Sequence, residues 1–163
     1  MKKDISIYFD VIESLKTTQE VANFLSEIDV FLLTFFKSEK ISIEQALSSV
    51  SADSAQKISQ AFSKNNLDIN DKDTVTGFFK NLKELAGKLN VIKLTLAFDP
   101  TAKTVENIHN FVKENIGTGY ILEIEVEPDI LGGSIIIFNG KYNDFSLKKS
   151  IEEVFKGRNI QTA

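Results

Sequence analysis

Apolar residues recur every three to four positions up to Asn90 and every second position immediately after it. A helix turns once in about 3.6 residues, whereas a strand sends successive side chains to opposite faces. No Pro- or Ser-rich tether marks the switch. The expected fold class is therefore α+β: an N-terminal helical bundle over 1–90, then a small α/β domain over 91–157 with a β-hairpin and a terminal helix. Residues 158–163 have no period and are expected to fray. No internal repeat or low-complexity block interrupts this plan.

In the first half, Ile5, Tyr8, Phe9, Ile12 and Leu15 give one apolar face. Thr17 and Thr18, with Glu20 behind them, are candidate caps for a helix over about 19–37. Its stripe is Val21, Phe24, Leu25, Ile28, Phe31, Leu32 and Phe35. Ser42 caps a short helix within 41–50. Ser51 or Asp53 caps the next, which carries Ala55, Ile58, Ala61 and Phe62. Asp71 or Asp73 opens a last helix with Val75, Phe78, Phe79, Leu82, Leu85 and Leu89 inward, and Gly87 or Asn90 closes it. The run Phe31-Leu32-Leu33-Thr34-Phe35-Phe36 is apolar on most sides, which fits deep burial or the docking of a partner helix.

In the second half, residues 91–98 read as a strand that Asp99-Pro100 breaks. Thr101 or Thr104 starts a helix with Val105, Ile108, Phe111, Val112 and Ile116 on one face, ended by Gly117-Thr118-Gly119. Residues 120–126 form a second strand, followed by a turn at Glu127-Pro128-Asp129. A third strand, 134–138, meets a short fourth at 141–143 through Asn139-Gly140, a strong hairpin-turn signal. Asp144 or Ser146 caps the final helix, with Leu147, Ile151, Val154 and Phe155 as its apolar face.

The 163 residues are 42% hydrophobic and 26% charged, an ordinary globular balance, and thirteen Phe point to an aromatic core. A net charge of -4 argues against a nucleic-acid partner. No signal peptide is evident. The longest apolar cluster, Val30 to Phe36, falls far short of the ~20 residues a membrane span needs, so direct insertion is not expected. With no Cys and a single His, His109, the chain lacks the donors of a familiar zinc site. His109 reads as a surface or half-buried helix residue. Glu123 and Glu125 share a strand face and read as its solvated side rather than an acid–base pair, opposite Ile121 or Leu122 with Ile124 and Val126. Gly132-Gly133 precedes a strand instead of a helix and is not followed by Lys-Ser or Lys-Thr, so a phosphate loop is not expected. Lys148, Lys149, Lys156 and Arg158 read as a solvated basic face near a helix end. No catalytic, metal or cofactor site is expected.

The stretch Val126-Glu127-Pro128-Asp129-Ile130-Leu131-Gly132-Gly133-Ser134-Ile135-Ile136-Ile137, continued by Lys141 to Asp144, Ser146 and the helix around Ile151, resembles the C-terminal signature of ATP synthase delta subunits. That family includes the mitochondrial oligomycin-sensitivity-conferring protein. The sequence departs from the pattern at Glu127, at Phe145 and in the order Asn139-Gly140, and its helical half looks shorter than the family's six helices. The resemblance implies a non-catalytic peripheral-stalk subunit of a proton-translocating rotary ATP synthase. Such a subunit links the catalytic head to the b-subunit stalk, resists rotor torque, and sits peripherally at the cytoplasmic face of the cell membrane. It further implies that 1–90 binds the N-terminal helices of the alpha subunits and 91–157 the C-terminal end of the b-subunit stalk. The residues expected in the helix-binding groove are Ile5, Phe9, Ile12, Phe78, Phe79 and Leu82. Pro128, Gly132, Gly133, Asp144 and Ser146 are expected to hold the C-terminal hairpin and its turn. The other reading is a stand-alone helical adaptor.

Overall fold

A computed structural model describes residues 6–37 and 41–158. The chain forms two compact units: one holds the described residues through Leu15 with Gln19–Leu89, the other Lys16–Thr18 with those from Asn90 on. As the change of period implies, helices come first and a four-stranded sheet with a hairpin and a terminal helix follows.

The helical unit contains α1 (Ser6–Glu13), α2 (Thr18–Phe36), α3 (Ile43–Leu47), α4 (Ala52–Lys64) and α5 (Lys72–Ala86). Three starts are fixed by side-chain caps. Ser42 and Gln45 cap each other's backbone N–H groups at 3.3 and 3.1 Å. Ser51 Oγ accepts from the Ser54 N–H, and Asp71 accepts from the Thr74 N–H at 3.0 Å. Asp53 and Asp73 fall instead in the first turns of α4 and α5, beside the positive helix ends. The core is aromatic. Phe62 packs on Phe78 at 4.7 Å between ring centroids, Phe31 on Phe79 at 5.5 Å, and Tyr8 on Phe78 at 4.9 Å. Each buried ring contributes roughly 2–3 kcal/mol by leaving water. The Asn81 amide donates to the Tyr8 hydroxyl at 2.9 Å, satisfying the polar tip of that ring.

The apolar run of α2 divides by helical position. Phe31 and Phe35 are buried, Leu32 is half-buried, and Val30, Leu33 and Phe36 face solvent.

The second unit contains β1 (Asn90–Leu96), α6 (Ala102–Asn115), β2 (Tyr120–Val126), a 3-10 turn (Pro128–Ile130), β3 (Ser134–Phe138), β4 (Lys141–Asp144) and α7 (Leu147–Arg158). The strand order is β2-β1-β3-β4. β1 and β2 are parallel, which requires a crossover, and α6 supplies it. β3 is antiparallel to both β1 and β4. Asn139 and Gly140 close the β3–β4 hairpin with φ of 48° and 72°, the two left-handed residues that a two-residue turn needs. Ile92 is in register with Leu122, and Leu94 with Ile124 and Ile136, so these side chains share one face. Val105, Ile108 and Val112 of α6 pack on it.

The structure adds one pairing and corrects two expectations. Thr17, expected as a helix cap, also forms a parallel bridge with Leu122, while the Leu122 N–H donates to the Lys16 carbonyl at 2.9 Å. This segment continues the sheet beyond β2, a pairing between positions too far apart for any local pattern. The final helix runs through Arg158, placed in the tail by sequence, and residues 159–163 lie outside the described residues. The Leu147, Ile151, Val154 and Phe155 face of α7 is not inward, because every residue from Leu147 to Lys156 is exposed.

Candidate functional site

The Gly-Gly segment, the end of the hairpin and the start of α7 form one latch. Pro128 opens the 3-10 turn, and Leu131 closes it in the left-handed region at φ 65°. The Gly132 carbonyl accepts from the Leu147 N–H at 2.9 Å, and the Ser134 carbonyl accepts from the Phe145 N–H at 2.9 Å. Between them, Gly133 has φ 74°, and a Cβ there would stand 2.2 Å from the Phe145 carbonyl oxygen. No other residue permits that approach. The Asp144 carboxylate accepts from the Ser146 N–H at 2.9 Å, and the buried Ser146 hydroxyl accepts from the Lys149 N–H at 3.2 Å, capping α7. Hydrogen bonds from Ser146 hold the Asp144 carboxyl below its ordinary range. Pro128, Gly132, Gly133, Asp144 and Ser146 are thus brought together where α7 leaves the sheet.

Beside this latch the sheet is only partly covered. A cavity of about 390 Å³ lies between α6 and the β1–β3–β4 side of the sheet. Its walls are Ile108, Phe111 and Val112 of α6, Ile116 at that helix's C-terminal cap, the sheet residues Ile92, Leu94, Leu122, Ile136, Phe138 and Asn143, and Phe145. Asn143 is the single polar lining side chain. Phe111 is 63% exposed and Phe145 64%, so the rim presents aromatic rings to solvent. The α6 stripe held the clue to this groove. Val105, Ile108 and Val112 make the contact with the sheet, and Phe111 and Ile116 widen the apolar face beyond that contact. Phe145 stood out in the sequence only as a departure from the C-terminal signature, not as part of an apolar face.

The expected helical-half residues are not brought together as a surface. Phe78, Phe79 and Leu82 are buried in the aromatic core, because the inward face of α5 is also its only continuous apolar face. Phe9 is 46% exposed and Ile12 half-buried on α1, and Ile5 lies outside the described residues.

The remaining polar candidates have structural partners. His109 is buried rather than at the surface, since α6 lies flat on the sheet. Its Nε2 is 3.1 Å from the Tyr120 carbonyl oxygen and ties α6 to the start of β2. Glu123 pairs with Lys93 at 3.0 Å, and Glu125 is exposed on the same strand face. Ile121 shares that face and is buried, while Leu122 lies on the opposite face with Ile124 and Val126. Among the described residues, no group of three or more His, Cys, Asp or Glu is placed to hold a metal ion. Nor is any helix among them long and apolar enough to cross a membrane.

No curated protein matches the sequence at a significant level. Among solved structures, a chain of the Toxoplasma gondii mitochondrial ATP synthase hexamer, determined by cryo-electron microscopy, is 17% identical. The alignment covers 97% of this chain and 89% of that one, with a TM-score of 0.36, too low to carry a conclusion. The family model of the ATP synthase delta (OSCP) subunit matches residues 9–156, which takes in both units and the whole latch. The chain therefore belongs to the ATP synthase delta (OSCP) subunit family, whose members are structural and not catalytic.

Proposed function

We propose that this protein is the connector of a peripheral stalk, with residues 1–90 engaging N-terminal helices of alpha subunits and 91–157 engaging the C-terminal end of the b-subunit stalk. The groove beside α6 carries the reading: it is open, almost wholly apolar and rimmed by Phe111 and Phe145. An amphipathic helix laid in such a groove buries anchors at i, i+3, i+4 and i+7, and a few aromatic contacts dominate the affinity. A surface of this kind grips a partner without performing a reaction. Rotor torque is resisted through stiffness, which the latch supplies by fixing the hairpin end with backbone bonds. On the helical side, Phe9 and Ile12 of α1 are the accessible edge. Phe78 supports that helix from beneath by packing on Tyr8. Attached in this way, the chain is a peripheral component at the cytoplasmic face of the cell membrane and needs no membrane segment of its own.

The test is titration of the full chain with a helical peptide from the C-terminal end of the b subunit, followed by heat or anisotropy. Saturable binding is expected, weakened at least about tenfold by Phe111→Asp, a change of about 1.4 kcal/mol or more. Absence of binding at high micromolar peptide, or equal binding by Phe111→Asp, counts against the reading.

A further inference from the structure

The sheet unit exposes two apolar surfaces of matching form. One is the groove. The other is the stripe of α7, where Leu147, Ile151, Val154 and Phe155 follow the i, i+4, i+7, i+8 spacing of a helix made to bury one face. α7 nevertheless has no buried residue from Leu147 to Lys156, and Phe155 is 60% exposed.

The topology relates the two. β4 is antiparallel to β3, and β3 to β1, so β4 ends where β1 ends and α6 begins. A helix that turned back there would run beside α6 over β3 and β4, completing a layer of two helices on one sheet face. The dimensions agree. The 12 residues of α7 span about 18 Å at about 1.5 Å each, and the 5 residues of β3 span about 17 Å. The pivot is also in place, because Phe145 already lines the groove and only Ser146 separates it from α7.

We propose that α7 exchanges between the outward position and a closed one in which its apolar stripe fills the groove, so that the chain carries its own competitor for a partner helix. The role as competitor rests on the reading that the groove receives the stalk helix; the closure itself does not. Closing exchanges the Leu147–Gly132 backbone bond and the contact with Pro128–Ile130 for burial of the stripe. The short tether keeps α7 at high effective concentration beside the groove. A partner then binds with an affinity reduced by the open fraction.

The experiment compares the full chain with its Val154→Glu/Phe155→Glu variant, using the hydrophobic dye ANS as probe and circular dichroism to confirm equal helix content. Both positions are exposed when α7 points outward, so the fold tolerates the change. If α7 covers the groove, the variant uncovers it and dye fluorescence rises, by about threefold or more for a mainly closed chain. If α7 always stays outward, the variant only loses an exposed stripe, and fluorescence falls or stays level. That result overturns the proposal. The b-subunit peptide should bind the variant more tightly by the same factor. A peptide that binds neither protein refutes the stalk reading, and the dye still decides the closure.

Discussion

Replacing Gly133 with Ala tests the latch most directly. An Ala at φ 74° incurs about 1–2 kcal/mol of left-handed strain. Its Cβ would also stand 2.2 Å from the Phe145 carbonyl oxygen, closer than any real contact, and that oxygen is backbone. Relief requires about 1 Å of movement between the start of β3 and the end of β4. This breaks the Phe145–Ser134 bond and then the Leu147–Gly132 bond, each 2.9 Å and each worth about 1 kcal/mol. The expected loss is about 3–4 kcal/mol, confined to the sheet unit. Gly140→Ala is the control for strain alone: its φ is 72° and nothing lies within 4 Å of an added Cβ, so about 1–2 kcal/mol is expected. Gly77→Ala is the control of opposite sign. It lies inside α5 with open space around it, and a gain of about 0.5–1 kcal/mol follows from helix propensity. Urea unfolding gives the three differences, and amide exchange at Phe145 and Leu147 shows where the first one falls. If Gly133→Ala costs no more than Gly140→Ala, the close-approach argument is wrong.

Other substitutions probe the remaining supports. Phe79→Ala should destabilise the helical unit by about 3–5 kcal/mol, read by thermal or urea unfolding, because it empties the centre of the aromatic cluster. His109→Ala should cost about 1–3 kcal/mol by removing the polar partner of the Tyr120 carbonyl, with partial recovery in His109→Gln. Phe9→Asp should leave unfolding nearly unchanged, since the ring is half exposed, while weakening capture of an alpha-subunit N-terminal peptide in a titration. Glu27 supplies the pH dependence. Hydrogen bonds from Ser54 and then Ser51 hold its carboxyl below the ordinary 4.5, so the folded value lies under the unfolded one. Its contribution is therefore present above pH 4.5 and lost as pH falls through the lowered folded value. Glu27→Gln should flatten that acid limb in unfolding measured across pH.

Local pattern carried most of the fold into view. Ser42, Ser51, Asp71 and Thr101 lie within a turn of the helices they begin, so cap chemistry alone nominates them. Asn139-Gly140 likewise announces its turn because both residues must take positive φ. The site was less legible. Periodicity shows that Phe78, Phe79 and Leu82 share an apolar face without telling a core face from a docking face, and burial decides for the core. The same ambiguity ran the other way for α6 and α7, whose stripes look inward in sequence while Phe111, Ile116, Val154 and Phe155 meet solvent. The pairing of Thr17 with Leu122 has no local signature at all.

That last pairing has a practical consequence. A fragment cut where the helices stop, at Asn90, would lack Lys16–Thr18 and leave the β2 backbone bare along that margin, inviting strand addition from neighbouring molecules. Dissecting the protein into halves therefore calls for grafting those three residues back, or for masking the margin with charge. In the ribosome's order of synthesis, Lys16 and Thr17 must also wait for about a hundred further residues before Leu122, their hydrogen-bonding partner, exists.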